Sequence, residues 1–357
     1  MQKRVFVGLS GGVDSAVSAA LLQKAGYAVT GVFIRIALPG YPCTAGADKI
    51  EAMRVAAHLR IPFVEIDLSK EYERAVFQTS VREFAAGRTP NPDTLCNKEI
   101  KFGIFFNWAM KHGADLVATG HYAQIKRKKK DGSVELFAGK DSEKDQSYFL
   151  WMVPEEALRH TLFPVGGLHK TQVRALAKKF KLPNAERKDS QGLCFLGDIS
   201  IGDMLHRELT LAPGNVLSES GEVIGTHDGT ALYTLGQRHG FTIASASTKA
   251  SQQELLPYFV IAKDITHNTI TVSTNRFPTG KTETRLTLRD VQWIGHVALG
   301  KYHARFRYRQ ELIPATRTSD VLVILDAPHY IPEGQSLVLY DGKRCIGGGI
   351  VVYCEHE

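Results

Sequence analysis

The 357-residue sequence predicts an α/β protein in which a parallel, helix-covered sheet is followed by a small central domain and a C-terminal β-barrel. Two observations support this fold class. Up to about residue 200, short apolar runs alternate with stretches of helical periodicity, as they do in parallel sheets. From about residue 206, glycines, prolines and short alternating segments are typical of antiparallel strands. We therefore predict domains at 1–205, 206–276 and 277–357.

The individual elements follow from these two patterns. The strands and helices predicted for the parallel sheet lie at 5–7, 29–34, 50–59, 63–66, 100–110 and 116–118. The β segments predicted for the later domains lie at 215–223, 258–263, 269–273, 304–308, 321–325 and 336–340. Ligands of parallel sheets bind at the carboxyl ends of strands, so the loop after the first strand is a candidate site.

The composition, 43% hydrophobic and 23% charged, is that of an ordinary globular protein with two or three packed domains. No apolar run is long enough to span a bilayer. The first strand follows Met1 almost at once, which leaves no room for a signal or transit peptide. We therefore expect a cytoplasmic location.

The net charge of +7 is concentrated in basic clusters at 126–130, 178–181 and 305–309. Such clusters suit a polyanion such as a nucleic acid. They are equally typical of solvated surfaces, and 126–130, followed by Asp131 and Gly132, also favours a hairpin tip. Charge alone therefore leaves RNA binding open.

The five cysteines form no Cys-x-x-Cys pair, which argues against a zinc ribbon or an adjacent redox pair. Cys43, Cys345 and Cys354 are interpreted as structural or incidental, because small buried thiols are common. Cys96 is predicted to begin a helix near Lys98, where the thiolate would be favoured. The remaining thiol is Cys194.

The most informative stretch is SGGVDS at 10–15, directly after the apolar run at 5–7. Gly11 and Gly12 allow the backbone to curl so that consecutive N–H groups face one point. The helix that follows adds unpaired N–H donors and the positive end of its dipole. We therefore predict an anion site between the first strand and the first helix.

The side chains of this loop indicate ATP. Ser10 and Ser15 can donate hydroxyl hydrogen bonds, and Asp14 suits the site if Mg²⁺ bridges its carboxylate to phosphate oxygens. The loop glycines lack the Gly-x-Gly-x-x-Gly spacing of dinucleotide sites, and the Walker-like end at 280–282 lacks its earlier glycine, because Asn275 stands there. An ordinary serine-capped turn is the alternative.

SGGVDS resembles the signature of the PP-loop ATP pyrophosphatase superfamily, which has an adenine nucleotide alpha hydrolase-like fold and activates carbonyl oxygens as adenylates. The loop alone does not choose among its synthetases and tRNA thiolases. Four further stretches decide, namely NPDTLCNKEIKF at 91–102, ATGHYA at 118–123, KDQSYFL at 144–150 and DSQGLCFLG at 189–197. Together they resemble the tRNA-uridine 2-sulfurtransferase (tRNA-specific 2-thiouridylase) family. The similarity continues at 225–240, 306–310 and 344–351.

The resemblance implies an enzyme that binds tRNA, flips out the wobble uridine (position 34) and adenylates its C2 oxygen with ATP. Sulfur from a persulfide on Cys194 then replaces that oxygen. The resemblance also implies that Cys96 is the second thiol, whose attack leaves a Cys96–Cys194 disulfide. It implies that Asp93 is a general acid or base. A sulfur-relay protein or a cysteine desulfurase is the implied donor of the persulfide.

The resemblance also assigns binding residues. For ATP these are Gly8, Leu9, Ser10, Gly11, Gly12, Val13, Asp14, Ser15, Ile34 and Gly120, with Asp14 as the Mg²⁺ ligand. For the target base and the rest of the tRNA they are Asn91, Pro92, Asp93, His121, Lys144, Asp145, Gln146, Arg307, Tyr308 and Gln335. Considered alone, His121 and Tyr308 suit core packing equally well. Another PP-loop tRNA thiolase and a non-catalytic RNA-binding protein of this fold remain the alternatives.

Overall fold

The computed structural model describes residues 2–41, 45–128, 132–189, 199–244 and 257–357. The α-helices are α1 Val13–Lys24, α2 Ala45–Leu59, α3 Ser69–Tyr72, α4 Gln78–Ala85, α5 Pro92–Leu95, α6 Phe105–Lys111, α7 Glu155–Arg159, α8 Lys170–Lys179 and α9 Ile201–Glu208. Wider, π-helical turns at Glu73–Phe77 and Cys96–Ile104 connect α3 to α4 and α5 to α6. Among these described helices, none has the length and apolar character needed to cross a membrane.

The strands alternate with these helices at first and then dominate the chain. They are β1 Arg4–Gly8, β2 Ala28–Arg35, β3 Phe63–Asp67, β4 Leu116–Ala118, β5 Ala123–Arg127, β6 Val134–Ala138, β7 Thr161–Leu162, β8 Gly214–Leu217, β9 Val223–His227, β10 Phe241–Ile243, β11 Phe259–Asp264, β12 Thr269–Ser273, β13 Thr284–Trp293, β14 Gly300–Arg305, β15 Ile313–Arg317, β16 Leu322–Leu325, β17 Ser336–Asp341 and β18 Arg344–His356. Short 3₁₀ helices lie at Ser147–Phe149 and Thr230–Leu232.

The first sheet has the order β3-β2-β1-β4-β7, and its strands pair in parallel. Strand β1 lies between β2 and β4. The chain first adds β2 and β3 on one side of β1 and later adds β4 and β7 on its other side. The carboxyl end of β1 is therefore the point where the strand order reverses, which is where ligands bind in such sheets. This arrangement confirms the predicted parallel, helix-covered sheet.

The two faces of this sheet pack against different helices. In β1, Val5 and Val7 belong to the core that contains residues of α1, whereas Phe6 belongs to the core that contains Cys96. Successive side chains of a strand point to opposite faces, so α1 and the Cys96 helix lie on opposite sides of the sheet. They can approach one ligand only at the sheet's carboxyl edge.

The C-terminal strands form the predicted barrel. The order β13-β16-β15-β14-β17-β18 closes through the pairing of β13 with β18. The hairpin β5–β6, which comes from the N-terminal part of the chain, extends this sheet through the pairing of β6 with β18. Residues 126 and 127 of the basic cluster lie in this hairpin, as the hairpin interpretation predicts, whereas residues 129 and 130 lie outside the described residues. The attachment of the hairpin to the barrel was not predicted.

A separate sheet, formed by strands that come between those of the parallel sheet and those of the barrel in the chain, has the order β10-β9-β8-β12-β11. Two predicted segments end earlier than expected. The segment at 215–223 is broken because Gly221 has φ +85° in a turn closed by the Ser218 N–H and the Glu222 carbonyl. Strand β14 ends at Arg305 because the Gln310 side chain accepts hydrogen bonds from the next two backbone N–H groups, which turns the chain.

A close backbone approach fixes the hairpin against the parallel sheet and supplies a test of the packing. A Cβ atom added at Gly166 would lie 1.7 Å from the Ala123 carbonyl oxygen, whereas one added at Gly46 in α2 would meet nothing within 4 Å. We expect Gly166→Ala to destabilise the fold by about 1–3 kcal/mol or more, because backbone must move. Gly46→Ala should stabilise it by about 0.5–1 kcal/mol, because alanine is the better helix residue. Thermal unfolding of both variants measures this, and equal midpoints would contradict the packing described.

Candidate active site

The loop between β1 and α1 has the geometry of an anion site. Gly11 adopts φ +77°, and a Cβ atom there would lie 2.6 Å from the Asp48 carbonyl oxygen, so the position requires glycine. Gly12 is the N-cap residue of α1, and no side chain of the described residues caps the helix there. The first N–H groups of α1 are thus available to an anion, and the positive end of the helix dipole attracts it.

Two serines stabilise this turn. The Ser15 hydroxyl donates to the Gly12 carbonyl at 3.0 Å and accepts from the Ser10 backbone N–H at 3.2 Å. The Ser10 Oγ in turn lies 3.4 Å from the Gly12 backbone nitrogen, which donates to it. The hydroxyls therefore shape the loop in this state, in addition to their predicted role as donors to phosphate.

The strand beside β1 approaches the start of α1 closely. A Cβ atom at Gly120, just after β4, would lie 2.8 Å from the Ser15 nitrogen and 2.9 Å from the Asp14 carbonyl carbon. The predicted nucleotide residue Gly120 thus lies directly against the loop, and only glycine fits there. Leu9 and Val13 are buried in the core beneath α1, whereas Ile34 is buried on the other face of the sheet.

An ion network joins the loop to distant parts of the chain. The Lys170 ammonium, on the first residue of α8, lies 2.8 Å from both carboxylate oxygens of Asp14. It also lies 2.8 Å from Asp189 Oδ1, and the Lys144 ammonium lies 2.9 Å from Asp189 Oδ2. The Tyr122 hydroxyl donates to Asp14 Oδ1 at 2.8 Å. A cation therefore already lies between the carboxylates of Asp14 and Asp189.

Two arginines and an asparagine complete this network. Arg174 bonds Asp189 Oδ1 at 2.5 Å, and Arg187 pairs with the carboxylate of Asp48. Arg187 also donates to the Gly11 carbonyl at 3.2 Å, and Asn184 donates to the same oxygen at 2.8 Å. Together with the two lysines, the network holds four cationic side chains, of which Lys170 and Arg187 contact the loop itself, at Asp14 and Gly11. That number suits a polyphosphate, whose charge a single lysine could not balance.

The pKa values in the network follow from these contacts. Burial alone would raise the pKa of Asp189, but hydrogen bonds and charge from Lys144 and Lys170 outweigh it and hold that pKa well below its usual range. Burial, together with the nearby Asp14, raises the pKa of Tyr122. At neutral pH, Asp189 is therefore an anion and Tyr122 a hydrogen-bond donor.

The helix that carries Cys96 begins at Pro92 with a well-formed cap. The Asn91 side chain accepts a hydrogen bond from the Thr94 backbone N–H at 3.1 Å, and proline occupies the first turn, as is typical of helix starts. Cys96 is the fifth helical residue and is wholly buried in the core. It thus lies one turn further into the helix than predicted, where the helix dipole has less effect on a thiolate.

Two polar atoms beside Cys96 are buried without a hydrogen-bond partner among the described residues. They are Thr94 Oγ1 and Asn97 Oδ1, although the Asn97 amide nitrogen donates to the Phe149 carbonyl at 3.0 Å. Buried polar atoms are usually paired, and those that are not mark places where a ligand or a rearranged segment completes the bonding. The surroundings of Cys96 are thus polar on one side.

His121 lies inside the protein, on the face of the sheet that carries Cys96. Its Nδ1 is 2.7 Å from Thr119 Oγ1, and its ring contacts the rings of Phe102 and Phe163 at centroid distances of 5.8 and 5.7 Å. Burial, with a smaller contribution from Lys101, holds the pKa of His121 well below its usual range. The side chain is therefore neutral, as in the core-packing alternative, and its predicted contact with tRNA stays a prediction.

The segment at 144–146 is occupied by internal contacts. Asp145 is buried and accepts hydrogen bonds from the Gly139 and Ser147 backbone N–H groups at 2.9 and 3.1 Å. Gln146 accepts one from the Tyr122 N–H at 3.0 Å. With Lys144 in the ion network, these three predicted tRNA contacts connect the phosphate loop to the barrel hairpin in this structure.

The barrel meets the Cys96 helix around Tyr148. The buried Tyr148 hydroxyl lies 2.9 Å from the Phe306 carbonyl and 3.3 Å from Gln335 Oε1, and the Asn91 side chain lies close enough to lower the pKa of Tyr148 against the effect of burial. The neighbouring Tyr308 ring contacts Phe149 at 4.8 Å. The structure thus brings the predicted residues Asn91, Gln335 and Tyr308 together, although they are far apart in sequence.

Two of the cysteines fit the structural role that the sequence suggests for them. Burial raises the pKa of Cys345 to about 12 and that of Cys354 to about 11, so both stay protonated and are poor nucleophiles, in line with a structural role. Cys43 and Cys194 lie outside the described residues. The distance between Cys96 and Cys194 is therefore untested.

Sequence reasoning missed most of the ion network. Lys170, Arg174 and Arg187 carried no motif, and the cationic cluster noticed nearby, 178–181, lies at the far end of α8. Asp189 was noticed only as the first residue of the Cys194 motif. No local signal could have found these contacts, since they join residues up to 176 positions apart.

The buried state of His121 gives a pH-dependent test. In the folded protein the neutral ring of His121 is favoured, whereas in the unfolded chain the ring binds a proton below pH about 6.5. The contribution of His121 to the free energy of unfolding is therefore fully present above that pH and is lost as the pH falls below it. We expect the unfolding free energy of the unmodified protein to fall with decreasing pH more steeply than that of His121→Asn, by up to about 1.4 kcal/mol per pH unit. Urea unfolding between pH 7.5 and about 5 measures both slopes. Identical slopes would show that His121 is accessible to protons in the fold.

Comparisons with known proteins agree with this geometry. Residues 3–198 match the family described as tRNA methyl transferase HUP domain, 202–274 the tRNA methyl transferase PRC-barrel domain, and 283–351 the aminomethyltransferase beta-barrel domain. The chain is 42% identical to a protein of Polaromonas naphthalenivorans, over 98% of this chain and 94% of that protein. It is 42% identical to one of Acidovorax ebreus, over 98% of each chain, and 40% identical to one of Enterococcus faecalis, over 98% of this chain and 95% of that protein. All three relatives are named tRNA-specific 2-thiouridylase.

Proposed function

We propose that this chain, which belongs to the tRNA-specific 2-thiouridylase family, uses ATP to exchange the C2 oxygen of the wobble uridine of tRNA for sulfur. The observation that carries the proposal is the ion network at the phosphate loop. Lys170 and Arg187 contact the loop, and Lys144, Lys170 and Arg174 bind Asp189, the first residue of the segment that contains Cys194. The site that activates the oxygen and the segment that supplies the sulfur are thus joined.

ATP binds with its phosphates on the loop. The N–H groups at the start of α1, the Ser10 and Ser15 hydroxyls and the ammonium groups of Lys144 and Lys170 are the donors for the phosphate oxygens. The Lys170 ammonium bonds the Asp14 carboxylate, and we propose that it turns from that carboxylate to the phosphates of bound ATP. Ile34 and Gly120 line the nucleoside end of the site in this proposal.

The residues also fit a magnesium ion. The Lys170 ammonium lies 2.8 Å from an oxygen of both Asp14 and Asp189, so this position already accepts a cation between two carboxylates. Among the described residues, no group of three or more acidic, histidine or cysteine side chains forms a cage for a metal. A pair of carboxylates suits Mg²⁺, because proteins usually bind this ion through one or two carboxylates together with phosphates of the substrate. When bound, Mg²⁺ would neutralise phosphate charge. We propose that Asp189 would hold it together with Asp14.

The first chemical step joins the uridine to AMP. The C2 oxygen attacks the α-phosphorus of ATP, the bond to the β-phosphate breaks, and pyrophosphate leaves. An oxygen of a urea-like carbonyl is a poor leaving group, and coupling it to AMP makes it a good one. Asp93, half-buried in the first turn of the Cys96 helix, is the proposed general acid or base for the proton of the base.

The second step brings in sulfur. The terminal sulfur of a Cys194 persulfide attacks C2, and AMP leaves with the former C2 oxygen. The Cys96 thiolate then attacks the Cys194 sulfur, so the sulfur on C2 keeps the electron pair of the broken S–S bond, and a Cys96–Cys194 disulfide forms. A thiol reductant restores both thiols, and a sulfur-relay protein or a cysteine desulfurase reloads Cys194.

Two described anchors support cooperation between the thiols. Asp189, five residues before Cys194, belongs to the network at the ATP loop, and Ile199, five residues after it, packs against the core that contains Cys96. Cys96 itself is wholly buried. We propose that its thiol becomes reactive only when the flipped base and the Cys194 segment occupy the site, which protects it from oxidation in between.

The tRNA-binding residues stay a proposal. Asn91, Pro92 and Asp93 are proposed to contact the flipped base, which needs a shaped pocket. His121, Lys144, Asp145, Gln146, Arg307, Tyr308 and Gln335 are proposed to contact the tRNA. The meeting of Asn91 with Gln335 around Tyr148 supports a continuous surface for RNA from the thiol helix to the barrel.

The reaction can be tested on unmodified tRNA. Incubation with the protein, ATP, Mg²⁺ and a persulfide donor should yield 2-thiouridine at the wobble position, and omission of ATP should abolish it. We expect Cys194→Ser and Cys96→Ser to abolish turnover with little loss of tRNA affinity, because each removes one sulfur that must react. Cys354→Ser is the control and should stay active, since that thiol is protonated and lies in the barrel. Nucleoside mass spectrometry measures the product.

Each other outcome identifies a different function. Sulfur at C4, or at another tRNA position, would assign the chain to a different tRNA thiolase. A nucleoside heavier by a methyl group would favour the methyl transfer named in the matched domain descriptions. Tight tRNA binding without any modified nucleoside would leave a non-catalytic RNA-binding protein.

The phosphate role of Lys170 has a direct test. Lys170→Met should weaken binding of a non-hydrolysable ATP analogue by about tenfold or more, the loss expected for one charge-assisted hydrogen bond. Lys179→Met, an exposed lysine at the other end of α8, loses the same charge and should bind the analogue normally. Isothermal titration of both variants gives the two dissociation constants. Equal affinities would remove Lys170 from the phosphate site.

A further inference from the structure

A basic pocket of about 490 Å³ lies between the central sheet and the barrel. Its walls include the loop at 234–239, the Phe259 ring and the guanidinium groups of Arg238, Arg276 and Arg307. Only Arg307 has been assigned a binding role so far. The other two arginines come from the central part of the chain and from the segment that connects it to the barrel.

The loop that forms one wall is held in a single conformation. The Gly236 N–H donates to the Val260 carbonyl at 2.6 Å, and the Val260 N–H donates back to the Gln237 carbonyl at 2.9 Å. The Gln237 side chain accepts from the Thr234 N–H at 3.2 Å and donates to the His239 carbonyl at 2.9 Å. This wall is therefore preorganised before any ligand arrives.

Arg307 is built into the pocket. Its Nη2 donates to the Leu235 carbonyl at 2.5 Å, and Gly236, with φ +82°, leaves room for it, because a Cβ atom there would lie 2.7 Å from Nη2. One donor of the guanidinium group is thus used to fix its position. The others remain for a ligand, and a guanidinium fork matches the oxygens of a phosphate.

The charges in the pocket favour an anion. Burial, and then repulsion from Arg276, lowers the pKa of Arg307. Within the described parts of the chain, Arg238, Arg276 and Arg307 form no salt bridge with a carboxylate, whereas Arg305 and Arg317 of the same barrel each do. Three cations around one cavity without an acidic partner repel one another, and a bound anion relieves that repulsion.

The pocket lies beside the segment proposed to hold the target base. The Thr234 hydroxyl, on the pocket wall, is 3.2 Å from the Thr89 hydroxyl. Thr89 comes two residues before Asn91, whose side chain caps the Cys96 helix. An RNA strand that delivers a base to this helix therefore passes within reach of the pocket.

We propose that this pocket binds a backbone phosphate of the tRNA close to the flipped nucleotide, through Arg238, Arg276 and Arg307. The inference rests on the proposed function, since the anion is a phosphodiester of the substrate RNA. The contact holds the strand in register and does not read its sequence, as phosphate contacts generally do. Arg238 and Arg276 are thus assigned as substrate-binding residues.

The salt dependence of tRNA binding tests this assignment. For each lost phosphate contact, the slope of log K against log salt concentration falls by about 0.7–0.9. We expect Arg238→Gln/Arg276→Gln to show this loss of slope and about tenfold weaker binding of unmodified tRNA at low salt. Both side chains are exposed, so the double variant should fold, and unchanged affinity for the ATP analogue confirms it.

Arg285→Gln serves as the charge-matched control. Arg285 lies on β13 and pairs with Glu283 and Glu357, so its loss should leave the slope unchanged. A double variant that binds tRNA with the slope of the unmodified protein would overturn the pocket assignment while the proposed function stands. Failure of the unmodified protein itself to bind tRNA would overturn the proposed function, and the pocket assignment with it.

Discussion

The site depends most on one lysine between two carboxylates. The Lys170 ammonium lies 2.8 Å from oxygens of both Asp14 and Asp189, and it thereby ties the start of α1 to α8 and to the segment that leads to Cys194. The carboxylates of Asp14 and Asp189 balance the cations of this network. In the proposed reaction, phosphate oxygens of ATP compete for the same lysine, so nucleotide binding would be electrostatically linked to the arrangement of the segment that contains Cys194.

The parallel sheet sets the second constraint. Helix α1 packs on one face of the sheet and the Cys96 helix on the other, so their ligands can meet only beyond the carboxyl ends of the strands. Gly120 brings the β4 side of that edge against the loop, with room for no side chain. The barrel then covers the Cys96 side, where Tyr148 bonds the barrel backbone and lies beside Asn91. Three parts of the chain thus enclose one edge of one sheet.

Much of this fold is predictable from local sequence, because strands and loops carry local signals. The apolar patterns predicted β2, β3, β4 and β12 almost to the residue, and the first glycine of SGGVDS is required by the geometry found at Gly11. The family motifs gave the nature of the chemistry. By contrast, the predicted position of Cys96 along its helix was wrong by one turn. The helix begins at Pro92, whereas the apolar pattern begins only at residue 100.

What could not be predicted is long-range. The pairing of Lys170 with Asp14 and the attachment of the β5–β6 hairpin to β18 join residues more than 150 positions apart, and no short pattern encodes such contacts. The burial of His121 between two phenylalanine rings is of the same kind. Such contacts are decided by which surfaces the fold brings together, and they determine which candidate side chains face a ligand.

The central claim is that the C2 oxygen of the uridine leaves on AMP. A tRNA anticodon stem-loop that carries a heavy oxygen isotope at C2 of the wobble uridine tests this directly. After a single turnover with ATP and persulfide, the account predicts the heavy isotope in the phosphate of AMP and none in pyrophosphate. Recovery of the isotope in water or pyrophosphate, with 2-thiouridine still formed, would contradict activation of that oxygen as its adenylate.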